Sequence, residues 1–179
     1  GLHDSRPVVL ITGGSQGAVA LNEATAGWLA AGGGGGLYVL WATGKGSYPR
    51  FASYQRLPDV QVFDFLDPIA DAFAVASLVV GRAGMMTCAE LCAWGLPSIL
   101  VPLPTAAADH QTANARALEA SGAAEVLLQS ALTPGSLGAA ISRLVADASR
   151  RTAMSRAARE RGRPTASSDI VSHLLTLLG

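Results

Sequence analysis

Lysine is almost missing from this chain. Of thirteen basic residues only Lys45 is a lysine, and alanine and glycine are abundant, a pattern that reads as coding bias before chemistry. Acidic residues also number thirteen, so the formal charge is zero and no global field draws the chain toward nucleic acid or acidic lipid. The two cysteines, Cys88 and Cys92, stand four apart on a helical pattern. Two thiols with one nearby histidine fall short of the four ligands that a structural zinc takes, so reduced, buried thiols in a cytoplasmic protein are the expectation. No apolar run reaches the roughly eighteen residues of a membrane span. The polar start, Gly1 to Pro7, contains no signal-peptide core.

Three familiar motifs are also lacking. "GGSQGA" (13–18) is not GxGxxG, and Trp41, Ala42 and Thr43 stand where a ribose-binding acid would follow the second strand. A nicotinamide dehydrogenase is thereby disfavoured. "TGKGS" is not a phosphate loop of the GxxxxGK type, because Val39 occupies the place of the first glycine. No D-x-D is present; "DFLD" (64–67) has the wrong spacing to hold a sugar-nucleotide metal in that way.

What is there is an alternation. Half of the residues are hydrophobic, enough for a full core in one domain of 179 residues. Short β-branched runs at 8–12, 37–41, 60–65, 77–81, 98–102 and 124–128 predict strands. Helical patterns fall at 17–30, around 50–56, 68–76, 85–94, 109–121, 134–147, 149–162 and 166–178. Continuous apolar strands separated by helices predict an α/β fold, a Rossmann-like doubly wound parallel sheet of six strands. The "AGGGGG" run (31–36) has no side chains to offer and is read as a connecting loop.

In such a sheet ligands collect beyond the carboxyl ends of the strands. The segments there read "GGSQGA", "ATGKGS", "LDP", "RAGMMT" and "PLPTAAADHQ", and all but "LDP" carry glycine, serine or threonine. In the first, Gly14, Ser15, Gln16 and Gly17 bring bare backbone amides to a helix start, where a phosphate meets the positive end of the dipole; equally, Ser15 caps a tight corner. In the second design, Arg82 offers a fixed cation and Gly84 close approach. Thr87 and Glu90 have the T-x-x-E spacing of a capping box, or Glu90 accepts hydrogen bonds from a ribose diol. Gln111 and Asn114 share a helix face, and their amides suit sugar hydroxyls; alternatively Asp109 caps that helix and its polar neighbours are solvated. His110 beside them could serve as a base, although a lone histidine is more often structural. The six arginines of 150–163 lie opposite Ala153, Met154, Ala157 and Ala158 and have no interleaved aromatics, as on a solvated helix face.

Taken in order, "TGGSQGAVALN", "WATGKG", "VFDFLDPIADAFAVASLVVGRAG", "MTCAELCAWGLPSILVPLP" and "AAADHQTANARALEASGAAEVL" resemble the C-terminal half of the MurG family, bacterial cell-wall glycosyltransferases of family 28 and the two-lobed GT-B architecture. The match covers about residues 8–128, with the helices of 134–178 fitting the family's tail. The resemblance implies a C-terminal domain, 1–179, that binds UDP-N-acetylglucosamine for inverting transfer to lipid-linked muramyl-pentapeptide. The acceptor lobe that supplies the base would be absent, and the isolated lobe inactive. It implies Ser15 at the diphosphate and Leu66 at the uracil. Met85, Met86, Thr87 and Glu90 would line sugar, phosphate and ribose, and Gln111 and Asn114 the hexose hydroxyls. The full enzyme would sit at the inner face of the plasma membrane. Two departures stand out: Met85 replaces a small residue, and Ala42 a common glutamine. Lacking D-x-D, the donor site is expected to be metal-independent, its diphosphate held by helix N-termini and Arg82. The rivals are the donor half of another GT-B enzyme, such as a glycolipid synthase or a natural half-enzyme, a non-catalytic nucleotide-sugar-binding module, and a sugar epimerase.

Overall fold

A computed structural model of the chain describes residues 5–14 and 17–178. These residues form six strands: β1 (Val8–Thr12), β2 (Tyr38–Ala42), β3 (Val60–Phe63), β4 (Leu78–Gly81), β5 (Ser98–Leu100) and β6 (Ala124–Val126). They make one sheet in the order β3-β2-β1-β4-β5-β6, and every neighbouring pair is parallel. Strands built from valine, leucine and isoleucine without alternation must be covered on both faces. Accordingly β1, β4 and β5 are buried along their whole length.

Among the described residues there are eight α-helices: α1 (Val19–Ala30), α2 (Tyr48–Phe51), α3 (Ile69–Val75), α4 (Met85–Trp94), α5 (His110–Ala120), α6 (Pro134–Ala146), α7 (Ala148–Arg161) and α8 (Ala166–Leu178). On one face Leu21 and Leu29 of α1 and Leu137, Ile141 and Leu144 of α6 pack on Val9, Ile11, Val39 and Val80. On the other, Phe73, Leu91, Ala115 and Leu118 of α3, α4 and α5 pack on Leu10, Val79 and Leu100. Opposite-facing neighbours such as Val9 and Leu10 thus feed separate cores, as the two-residue period of a strand requires.

Most expected elements are found within one or two residues of their predicted limits. The helix expected around 50–56 is instead a single α turn, α2, followed by a 3₁₀ stretch over Ala52–Arg56. Helix α4 ends at Gly95, whose φ of 66° is the left-handed conformation a helix stop uses. On α7 Met154 and Ala158 are buried while Ala153 is exposed, so its apolar stripe is narrower than expected. Among the described residues no helix is long and apolar enough to cross a membrane.

Candidate functional site

The chain order reverses between β1 and β4, because β2 and β3 extend the sheet to one side and β5 and β6 to the other. Loops leaving two such strands diverge and open a crevice. Here that crevice is a cavity of about 880 Å³, within the roughly 300–1,000 Å³ range of small-ligand sites. Its walls come from the ends of β1, β2, β3, β4 and β5 and from the turn after β6.

Two helix N-termini line it. The N-cap of α1 is Ala18 and that of α4 is Gly84, and neither makes a side-chain capping bond. The first intrahelical bonds run from Asn22 N to the Ala18 carbonyl (2.8 Å) and from Cys88 N to the Gly84 carbonyl (2.9 Å). The preceding amides, Val19 to Leu21 and Met85 to Thr87, therefore have no acceptor within their helices. Two helix N-termini that have no side-chain cap among the described residues thus direct positive potential at one cavity.

The cap positions resolve one open reading. Because α4 begins at Met85, Thr87 is its third residue and Glu90 its sixth. A capping box needs the threonine at the N-cap itself. The T-x-x-E spacing is therefore not a cap, and both side chains line the cavity instead. Similarly Asp109 occupies the N-cap position of α5 but makes no side-chain capping bond. The His110 ring bonds the Ala107 carbonyl at 2.6 Å and is exposed, in keeping with a structural role.

Three carboxylates and one arginine line the cavity. Glu23 pairs with Arg50 at 2.9 Å, and Asp64 accepts from the amide of Phe65 at 2.7 Å. Glu90 has no hydrogen-bond or ion-pair partner among the described residues. Arg82 is half-buried: its Nη1 donates to the carbonyls of Val101 (3.1 Å) and Pro102 (3.3 Å), and its Nη2 to Oε1 of Gln129 (2.7 Å). Burial lowers its pKa from the ordinary arginine value. Phe65 and Leu66 of the loop before α3 and Ile69, the first residue of that helix, add an apolar shelf, with the Lys45 ammonium 5.8 Å from the Phe65 ring centre.

Of the residues singled out from sequence, Gly14, Gly17, Leu66, Arg82, Gly84, Met86, Thr87, Glu90 and Gln111 all border this cavity. Ser15 and Gln16 lie outside the described residues. Met85 is 72% exposed on the first turn of α4 but is not among the lining residues. Asn114 also stands back from the cavity: its Nδ2 donates to the Ala83 carbonyl at 3.0 Å, fastening α5 to the loop after β4. Gln111 accepts from Leu103 N at 3.0 Å through Oε1, which leaves its amide donors available. Gln129 and Phe65 border the cavity without having been foreseen. A single glutamine in a connecting turn carries no spacing signal, whereas the aromatic of "DFLD" could have been weighed as a stacking surface.

Behind the glycine loop lies a buried polar bracket. Asn22 donates to the Thr43 carbonyl at 2.8 Å and accepts from Trp41 Nε1 at 2.9 Å. Cys88 and Cys92 are buried free thiols. Among the described residues no three or more His, Cys, Asp or Glu are grouped so as to hold a metal ion.

The family model for the glycosyltransferase family 28 C-terminal domain matches residues 8–170. A relative from Halorhodospira halophila, named UDP-N-acetylglucosamine--N-acetylmuramyl-(pentapeptide) pyrophosphoryl-undecaprenol N-acetylglucosamine transferase, is 44% identical over 95% of this chain and 48% of its own length. A protein of the same name from Salinibacter ruber is 40% identical over 95% of this chain and 46% of its own. The crystal structure of Acinetobacter baumannii MurG superposes with a TM-score of 0.83 at 32% identity, covering 96% of this chain and 52% of that one. The chain thus spans about half the length of the curated relatives it matches. It belongs to the glycosyltransferase family 28 C-terminal domain family.

Proposed function

We propose that this chain is the donor-binding lobe of an N-acetylglucosaminyltransferase. It binds UDP-N-acetylglucosamine at the β1/β4 crevice for transfer to a lipid-linked muramyl-pentapeptide held by a second lobe. The observation that carries this reading is the convergence on one cavity of two helix N-termini and an arginine that, among the described residues, have neither a side-chain cap nor a carboxylate partner. Breaking the anomeric C–O bond leaves UDP, and preorganised amide dipoles aimed at its growing charge lower the barrier. The apolar shelf of Phe65, Leu66 and Ile69 suits the flat uracil ring. Glu90, an acceptor without a partner among the described residues, suits the ribose diol, and the amide donors of Gln111 suit the hexose hydroxyls. Gly14, Ser15, Gln16 and Gly17 complete the proposed donor set, and Met85 and Asn114, outside the cavity lining, are proposed to flank it.

The reading includes a diphosphate held without a resident cation, since two of the three lining carboxylates already have partners. The general base and the acceptor site belong to the second lobe, so this chain alone transfers nothing. In the complete enzyme the lobe works at the cytoplasmic face of the membrane, where a lipid-linked acceptor is presented.

Calorimetric titration with UDP, with and without EDTA, tests the site. Binding that survives the chelator supports it, and chelator-dependent binding overturns the metal-free part. Mixing the chain with a matching acceptor lobe tests the reaction: transfer only in the mixture supports the enzyme reading, whereas UDP binding with no transfer favours a non-catalytic module. Turnover by the chain alone contradicts the assignment of the base to the second lobe.

A further inference from the structure

Arg82 is bonded in an unusual way for a half-buried cation. Arginines withdrawn from water are generally paired with a carboxylate, yet among the described residues no ion pair involves Arg82. All three acceptors that hold it are neutral. Two are backbone carbonyls, of Val101 and Pro102, beyond the end of β5, and the third is the side chain of Gln129. Gln129 opens the short 3₁₀ turn Gln129–Ala131 that follows β6. The guanidinium therefore ties together the ends of β4, β5 and β6, and Gln129 supplies the only side chain in the tie. Of the five guanidinium N–H donors, three are spent, leaving two for a ligand.

A glutamate at this position would make a stronger, charge-assisted bond. It would also cancel the charge. A neutral acceptor fixes the guanidinium and leaves its field intact for an anion in the cavity, which both residues line. We propose that Gln129 is a positioning residue for the diphosphate of the donor, holding Arg82 rigid while preserving its positive charge. This inference rests on the donor-lobe reading and extends it to a residue whose role is to orient, through Arg82, rather than to touch the sugar.

The test uses the 179-residue chain, with UDP and uridine as probes in parallel NMR titrations. Gln129→Glu is the decisive variant, because it retains a partner for Arg82 and removes only the net charge. Its UDP affinity should fall by about tenfold or more, while its uridine affinity and melting temperature stay at the wild-type values or, for the latter, rise. Gln129→Ala, which frees the guanidinium without neutralising it, should show a smaller loss confined to UDP. Wild-type UDP affinity in Gln129→Glu overturns the proposal, and so does an equal loss for UDP and uridine, the mark of a merely structural residue. Failure of the wild-type chain to bind UDP at all overturns the donor-lobe reading itself and the proposal with it.

Discussion

A Cβ placed on Gly17 would stand 2.3 Å from the carbonyl oxygen of Thr43. The loop after β1 thus rests directly on the backbone that follows β2, and Gly17 has a φ of 74°, in the left-handed region. Both facts bar a side chain there. Gly17→Ala is expected to cost about 1–3 kcal/mol from backbone conformation alone and, by pushing the loop off Thr43, to abolish measurable UDP binding. Thermal melts and calorimetry on the same variant check both parts; a variant that binds UDP normally contradicts the proposed fit of loop to phosphate.

The Thr43 carbonyl is itself held from behind. Asn22, 1% exposed, joins it to the indole N–H of the fully buried Trp41. Asn22→Leu keeps the approximate volume but strands both partners, and each buried polar group left unsatisfied costs about 1–3 kcal/mol. Urea unfolding should register that loss. A change of less than about 0.5 kcal/mol, the scale of an ordinary surface substitution, would show that the bracket does not support the loop.

Glu90 separates a functional carboxylate from a stabilising one. Since α4 starts at Met85, Glu90 caps nothing. Glu90→Ala is expected to leave the melting temperature unchanged while UDP affinity falls by about 1.5–3 kcal/mol, the scale of hydrogen bonds to a charged group. The reverse pattern, lower stability with intact affinity, would restore a structural role.

Burial, and then the neighbouring Cys92 thiol, push the Cys88 thiol up to about 11 from an ordinary 9.0. A raised thiol pKa means that the folded state keeps a proton the unfolded state gives up. The associated stability is complete below pH 9 and is lost as the pH climbs through about 11. Urea midpoints measured from pH 8 to 10.5 should therefore decline, and less steeply in Cys88→Ala. Identical slopes in the two proteins would contradict the buried, protonated thiol.

Helix α8 provides the contrast to the core. Ile170, Val171, Leu174 and Leu175 are all more than half exposed, so Leu174→Asp and Leu175→Asp should change the stability of this chain by no more than about 0.5 kcal/mol. Ile141→Ala, at a fully buried position on α6, should cost about 2–5 kcal/mol. Comparable losses from both helices would mean that α8 packs in a way its exposure does not show.

Much of the fold was legible because its strands are so apolar. "VVLIT" and "LYVLW" have no polar face to give them to solvent, and that alone predicts a covered, parallel sheet. The positions of the loops follow from strand direction, which is why Gly14, Gly17, Arg82, Gly84 and Glu90 gather at one cavity. Details that hang on a single residue were less legible. The T-x-x-E spacing points to a cap at Thr87, but Gly84 adopts the extended N-cap conformation three residues earlier and the helix starts there. Gln111 and Asn114 share a helix face, yet Gln111 lines the cavity while Asn114 bonds the Ala83 carbonyl beside it. Gln129 is invisible in sequence because its significance lies in Arg82, 47 residues away.

The most direct test of the account is an amide NMR titration of the isotope-labelled chain with UDP-N-acetylglucosamine in the presence of EDTA. The largest shifts are expected at Gly14, Gly17 and Ala18 before α1 and at Met86 and Thr87 on α4, with smaller ones at Gln111. Shifts centred on α7 or α8, or shifts that appear only once magnesium is added, would contradict a diphosphate held by the two helix N-termini.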